Sequence, residues 1–260
     1  MSDNLCVVTG ASAGIGAAYA ARLAARGRDL LLVARRADRL DALAARLKGE
    51  FGVAVEALAA DLCDPAALQA LAARLEQAPP AMLVNNAGAG EFGPVAARGA
   101  DVQQRLIDLN IVALVRLSIA ALSGFSRLGR GALVNMASVV AFLPTGGSAS
   151  YAGSKAFVLN FTRALQMEYM ASNIRIQAVL PGPIDTELFR SQGMDASFVP
   201  DSAFISAEAL VDAALAGFDA GEEITMPTLV DESIWADMET LRTRFAADIF
   251  GGRVAPRYAR

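Results

Sequence analysis

Short apolar runs alternate with helical patterns along most of the chain. Leu5-Cys-Val-Val-Thr9 is the first run; an alanine-rich helical pattern follows to Arg26, with Gly27 as its stop signal. Residues 29–33 form a second strand candidate ahead of a helical segment at 38–48. A third candidate at 53–58 leads to Asp61-Leu62, and its helix covers 65–77. Residues 81–84 run into Asn85-Asn-Ala-Gly88, and 101–125 is one long helical pattern. Residues 132–137 read as a buried strand, and Tyr151 opens a helix that continues through Phe157, Val158, Phe161 and Leu165. Later strand candidates are 174–180, ending at Pro181-Gly182, and 223–226. Apolar runs that are continuous rather than alternating mark a parallel sheet covered on both faces. The pattern predicts an α/β fold, doubly wound, as one domain over residues 1–260. Ile234, Met238, Leu241, Phe245 and Ile249 step by four and three, so the 231–260 segment is expected to carry an amphipathic helix packed on the core or a partner subunit.

Polar and glycine positions collect at the ends of these strands. Gly10-x-x-x-Gly14-x-Gly16 follows the first strand and opens the first helix. Glycines there permit a tight turn and let backbone amides approach a pyrophosphate at the helix N-terminus. The spacing differs from G-x-G-x-x-G, and a plain strand-to-helix turn uses the same residues. No Gly-Lys-Ser/Thr follows, which excludes a P-loop. Asn85-Asn-Ala-Gly88 ends the fourth strand, where it serves either a ligand or a turn. Asn110 interrupts an apolar helix and needs partners, be they substrate-side groups or a neighbouring carbonyl. Tyr151 and Lys155 stand four apart on one helix face. A nearby ammonium favours the phenolate and brings a phenol of pKa about 10 toward acid–base work near neutrality. Ser138, thirteen residues earlier at a strand end, aims a hydroxyl at the same point.

Composition narrows the choices. The net charge of −4 and the lack of a basic block argue against nucleic acid as a ligand. The chain has no histidine, which removes histidine-based triads and most zinc sites; no metal is expected. Cys6 and Cys63 lie in apolar runs and read as buried thiols in a reducing compartment. The N-terminus lacks the pattern of a signal peptide, and the apolar stretch 109–125 is broken by Asn110 and Arg116. A cytoplasmic protein without a membrane segment is expected.

Across roughly residues 4–190 the chain resembles the short-chain dehydrogenases/reductases. The resemblance is carried by Thr9-Gly-x-x-x-Gly-Ile-Gly16, Asn85-Asn-Ala-Gly88, Asn110, Ser138, Tyr151-x-x-x-Lys155 and Pro181-Gly-x-x-x-Thr186. It implies a Rossmann fold with Tyr151 as catalytic acid/base and Ser138 orienting the substrate oxygen. Lys155 would hold the nicotinamide ribose and lower the tyrosine pKa, and Asn110 would position a water in a proton relay. Cofactor contacts are expected from Gly10, Ser12, Gly14, Ile15 and Gly16, from Asp61 and Leu62, and from Asn86, Ala87 and Gly88. Tyr151, Lys155, Pro181, Gly182, Ile184 and Thr186 complete that set.

In NAD-binding members an acidic residue stands about 20 positions beyond the fingerprint. Ala34 occupies that place here, followed by Arg35 and Arg36. These suit a 2′-phosphate, so NADP(H) is expected over NAD, unless the arginines are plain surface charges. By analogy the substrate pocket draws on Val140 and Phe142 before Tyr151 and on Phe189 and Met194 in the 187–210 segment, with several of these apolar residues also suited to the core. An apolar or aromatic carbonyl or alcohol is therefore expected as substrate. Alternatives are an NAD(H)-dependent 3-oxoacyl-type reductase and a catalytically silent cofactor sensor. The first is disfavoured because Met226-Pro-Thr-Leu-Val-Asp-Glu stands where many such members carry a Val-Asp-Gly-Gly-like turn. The helix over 101–125 is apolar on more than one face and suggests, with the Lys155 helix, a homodimer or homotetramer.

Overall fold

A computed structural model describes residues 4–186 and 200–258. The chain forms two compact units, Met1–Pro227 and Thr228–Arg260.

The first unit is built on a seven-stranded sheet of order β3-β2-β1-β4-β5-β6-β7, parallel throughout. Its strands are β1 (Leu5–Thr9), β2 (Asp29–Ala34), β3 (Val55–Ala59), β4 (Met82–Asn85), β5 (Gly131–Met136), β6 (Ile174–Val179) and β7 (Ile224–Thr225). Successive side chains of a strand point to opposite faces, and the core follows that rule. Cys6 and Val8 of β1 and Leu30 and Leu32 of β2 belong to one apolar cluster; Val7, Leu31 and Val33 belong to the other. The first cluster is covered by α1 (Gly14–Ala25) and α2 (Ala37–Phe51), and by the helix that follows β6, Ala207–Ala220. The second is covered by α3 (Pro65–Gln77) and by two long helices described next.

The single helix expected over 101–125 is a composite. A one-turn α4 (Val95–Arg98) precedes α5 (Ala100–Ile107); a π-helical turn spans Asp108–Ala113, and α6 (Leu114–Leu128) completes it. Taken together, Ala100–Leu128 is long and apolar enough to cross a membrane by length and composition, and half of its most apolar stretch is buried. Leu117, Ala121 and Phe125 of α6 are buried in the second cluster. The catalytic candidates of the later motif sit on α7 (Ala149–Tyr169), and the helix Ala207–Ala220 is α8. Asp64 caps α3 by accepting from the N–H groups of Ala66 and Ala67, both at 2.8 Å, with Pro65 as first helical residue.

The segment expected on the substrate side, 187–210, is described from Pro200 onward. Ile205 forms a parallel bridge with Ile184, which ties it to the chain beyond β6. The second unit contains α9 (Glu232–Ile249); none of its residues is buried, and Leu241 and Phe245 are 57% and 67% exposed.

Candidate active site

All strands are parallel, so their carboxyl ends lie at one edge, and the expected site residues gather there. The loop between β1 and α1 is set by its glycines. Gly10 (φ +68°) turns the chain where a Cβ would meet Asn86 Nδ2 at 2.8 Å and Ala87 Cα at 2.9 Å. A Cβ on Gly16 would sit 2.3 Å from the Gly10 carbonyl oxygen. Among the described residues no side chain caps the N-terminus of α1, whose first amides suit an anion. Thr9 and Asn86 lock the loop to the end of β4. Thr9 Oγ1 accepts from the N–H groups of Asn86 and Ala87, both at 3.0 Å, and Asn86 Nδ2 donates to the Thr9 carbonyl at 2.9 Å.

These residues border a groove of about 300 Å³. Its lining includes Gly10, Ser12, Gly14 and Ile15, then Ala34, Arg35 and Arg36, then Asp61 and Leu62, with Asn86, Ala87, Gly88 and Thr186 along the other side. Arg36 donates to Ser12 Oγ from Nε at 3.3 Å and from Nη2 at 3.2 Å, so an arginine reaches the glycine loop. Asp61 faces the Arg105 guanidinium at 2.6 Å. Burial raises the Asp61 pKa, but the Cys63 N–H, Arg105 and the more distant Arg35 outweigh it and hold the carboxylate below its ordinary value. A phosphate-bearing dinucleotide fits this donor set and this cradle.

A smaller cavity of about 110 Å³ continues the groove. It is lined by Ile15, Asn86, Gly88, Ser138, Tyr151, Lys155, Pro181, Gly182, Ile184 and Thr186, among others. Ser138 follows β5, where its hydroxyl donates to the Pro181 carbonyl at 3.4 Å and accepts from the Val140 N–H at 3.3 Å, and it lines the cavity beside Tyr151. Lys155 is buried, and its ammonium donates to the Met136 carbonyl at 2.8 Å. It stands 5.9 Å from the centroid of the Tyr151 ring.

The electrostatics differ from the sequence expectation. Burial pushes the Tyr151 phenol above its ordinary pKa, against a lowering hydrogen bond from Ser138. Part of the residue's surface is open to the cavity, yet protein atoms crowd the phenol, and this desolvation opposes charge. Burial also draws Lys155 down to about 8. In the chain by itself, desolvation therefore dominates at both groups.

Asn110 lies on the π turn, buried. Its Oδ1 accepts from the Ala89 N–H and its Nδ2 donates to the Ala89 carbonyl, both at 2.8 Å; Nδ2 also donates to Ser154 Oγ at 3.0 Å. The reading in which this amide satisfies neighbouring backbone is thus observed. A Cβ on Gly88 would lie 3.4 Å from Asn110 Oδ1 and 3.7 Å from Lys155 Nζ, so both side chains converge on that glycine. Val140 and Phe142 are half-buried on a 3₁₀ turn and its cap, and Phe142 packs on the cluster of Leu114, Val158 and Leu159. Phe142 therefore contributes to the core. Phe189 and Met194 fall outside the described residues. One neighbour escaped the sequence reading: Phe92, buried, sets its ring 5.4 Å from that of Tyr151.

The family model for short chain dehydrogenases matches residues 4–196. The chain belongs to the short-chain dehydrogenase/reductase family. It is an NAD(P)-dependent oxidoreductase of Rossmann fold. A short-chain dehydrogenase from Sphingobium yanoikuyae, solved in complex with NADPH, is 45% identical. It superposes with a TM-score of 0.92 over 98% of this chain and 99% of that one. A bulky-bulky ketone specific alcohol dehydrogenase from Comamonas testosteroni is 36% identical, with a TM-score of 0.90 over 99% of both chains. Sulfoacetaldehyde reductase 2 of Chromohalobacter salexigens is 37% identical over 204 residues, 76% of this chain and 79% of that protein. The two solved structures share the fold over nearly the full length of this chain.

Proposed function

We propose that the protein interconverts a carbonyl and a secondary alcohol with NADP(H), on a substrate with an apolar or aromatic body. The observation that carries the reading is the cavity where Ser138, Tyr151 and Lys155 meet, continuous with a glycine-lined groove that ends at two arginines. Gly10, Ser12, Gly14, Ile15 and Gly16 would hold the pyrophosphate side of the cofactor. Asp61, Leu62, Asn86, Ala87 and Gly88 would border its adenosine, and Lys155, Pro181, Gly182, Ile184 and Thr186 its nicotinamide half. Bound there, the cofactor supplies or accepts the hydride.

In the reductive direction Tyr151 donates its proton to the substrate oxygen as charge develops on it. Its raised pKa keeps that proton in place at neutral pH. Ser138 hydrogen-bonds the same oxygen, an oxyanion-stabilising role. Lys155 steadies the charge left on the phenol, and Asn110 holds the Ala89 backbone and Ser154 around it. Tyr151→Phe is expected to abolish turnover while leaving cofactor binding within twofold, as read by steady-state kinetics and fluorescence titration; an active Tyr151→Phe would overturn the assignment.

Ala34 offers no carboxylate to a ribose 2′-hydroxyl and none to repel a 2′-phosphate. Arg35 and Arg36 border the same end of the groove. One well-made charge-assisted hydrogen bond is worth roughly 1.5–3 kcal/mol, or about ten- to a hundredfold in favour of NADPH. The NADPH complex of the Sphingobium yanoikuyae protein supports this preference. The ratio of kcat/KM with NADPH and NADH tests it: wild type should favour NADPH, and Ala34→Asp should reverse or erase that preference. For substrate class, aryl ketones are expected over polyols, and the bulky-bulky ketone specificity of the Comamonas testosteroni neighbour supports a ketone with a large body. A panel of both decides, and a preference for polyols would end the reading. We place the protein in the cytoplasm as a homo-oligomer.

A further inference from the structure

We infer that Phe92 is a positioning residue for Tyr151: the segment from Ala89 to Arg98 works as a strap that presses this ring against the phenol, fixing its direction and excluding water from that side. The inference rests on the reading of Tyr151 as the proton donor.

Three anchors hold the strap. At its start, Ala89 exchanges two backbone hydrogen bonds with the Asn110 amide, both 2.8 Å. In the middle, the Gly93 N–H donates to the Gly147 carbonyl at 2.9 Å, just ahead of the helix that carries Tyr151. At its end, Arg98 donates to the Phe92 carbonyl, at 2.8 Å from Nε and also from Nη2, and pairs with Glu91 at 2.9 Å. The glycines are needed for this closeness. Gly93 has φ +124°, and a Cβ there would stand 2.8 Å from Arg98 Nε. Gly147 has φ +79°, and its Cβ would meet the Gly93 nitrogen at 3.1 Å.

Phe92 is a buried apolar side chain whose place the clusters among the described residues do not explain. It is only 7% exposed yet belongs to none of the three apolar clusters. Its ring instead meets Tyr151 at 5.4 Å and 56°, within the tilted arrangement that aromatic pairs favour. The phenol is thus bounded by Phe92 from the strap, Ser138 from the end of β5, and Lys155 from its own helix. The nearest ion pair on the strap, Glu91–Arg98, is bound to the Phe92 carbonyl. Desolvation raises the phenol pKa, and a ring packed on one side contributes to it.

The test compares wild type, Phe92→Ala, Phe92→Leu and Tyr151→Phe in ketone reduction across pH. Reduction needs the protonated phenol, and Lys155, drawn down to about 8, loses its charge at lower pH, so the limb read here is the higher one, where the rate falls as pH rises through the phenol pKa. Hydrating the ring in Phe92→Ala should lower that pKa, moving the basic limb of the kcat profile to lower pH by about half a unit or more. The same variant should lose about tenfold in kcat while KM for NADPH stays within twofold, since misdirected proton donation affects only the chemical step. Phe92→Leu, which keeps the bulk, should recover most of both. If Phe92→Ala does not fold, Arg98→Met, which releases the strap and retains Phe92, should move the limb in the same direction. A basic limb that stays at its wild-type position in the folded variants overturns the inference, even if kcat falls. Tyr151→Phe separates the two levels: if it is active, the proton-donor reading fails; if it is inactive and the limb does not move, only the role of Phe92 fails.

Discussion

Lys155, to which we assign a part in the chemistry, is unfavourable for folding. Its pKa is near 8 in the folded chain against an ordinary 10.5, which corresponds to about 3 kcal/mol at neutral pH. Between those values the unfolded chain binds more protons than the folded one, so stability rises with pH across that window. Below pH 8 both states are protonated and the full penalty is present. Lys155→Met should therefore be more stable than wild type at pH 7, by up to about 3 kcal/mol less roughly 1 for the lost bond to Met136. That advantage should fade as pH approaches 10.5, while turnover is lost at every pH. Urea melts at both ends of the window check it, and a pH-independent advantage would contradict it. Thr9 behaves in the opposite way, as a purely supporting residue. Its hydroxyl accepts from two backbone N–H groups, so Thr9→Val strands that of Ala87 and leaves that of Asn86 only its 3.1 Å bond to the Val84 carbonyl. A loss of roughly 1–3 kcal/mol in unfolding free energy is expected, together with weaker NADPH binding because the glycine loop is held less firmly to β4.

At the scale of elements, the same substitution should have opposite effects in two helices. Gly49 lies exposed in α2 with nothing within 4 Å of a new Cβ. Gly49→Ala should stabilise by about 0.5–1 kcal/mol through helix propensity alone. Gly124 lies in α6, where a Cβ would stand 2.3 Å from Pro79 Cγ. There the clash exceeds the propensity gain, and Gly124→Ala should destabilise by about 1–3 kcal/mol. Paired thermal melts decide both. Much at this scale was legible beforehand. Continuous apolar runs marked the strands, and the Tyr151–Lys155 spacing put both residues on one helix because i,i+4 geometry is fixed by the backbone. The π turn at Asp108–Ala113 was not legible, since it leaves the apolar pattern almost unchanged. Nor was Phe92, which sits in a loop with no period to betray it. The direction of the Tyr151 pKa was misjudged for a related reason: spacing reveals a neighbouring charge but not how deeply both groups are buried.

For the whole molecule, assembly and synthesis both follow from what the fold leaves open. Ile119 of α6 is 59% exposed and Phe157 of α7 is 40% exposed, stacked on Phe161 at 5.8 Å. If these helices form a two-fold interface, light scattering should show at least a dimer, and Ile119→Asp should shift it to monomer with its fold intact. The strand order carries another consequence. The chain makes β1, β2 and β3 first and lays them outward on one side, while the other side of β1 pairs with β4, Cys6 opposite Met82. At a synthesis rate of about 5–20 residues per second, that side of β1 stays unpaired for roughly 4–15 s after it is made. A nascent chain of this protein therefore passes through an interval in which the future centre of its sheet is an open edge. Slow codons placed between residues 60 and 85 would lengthen the interval, and with it the need for a chaperone.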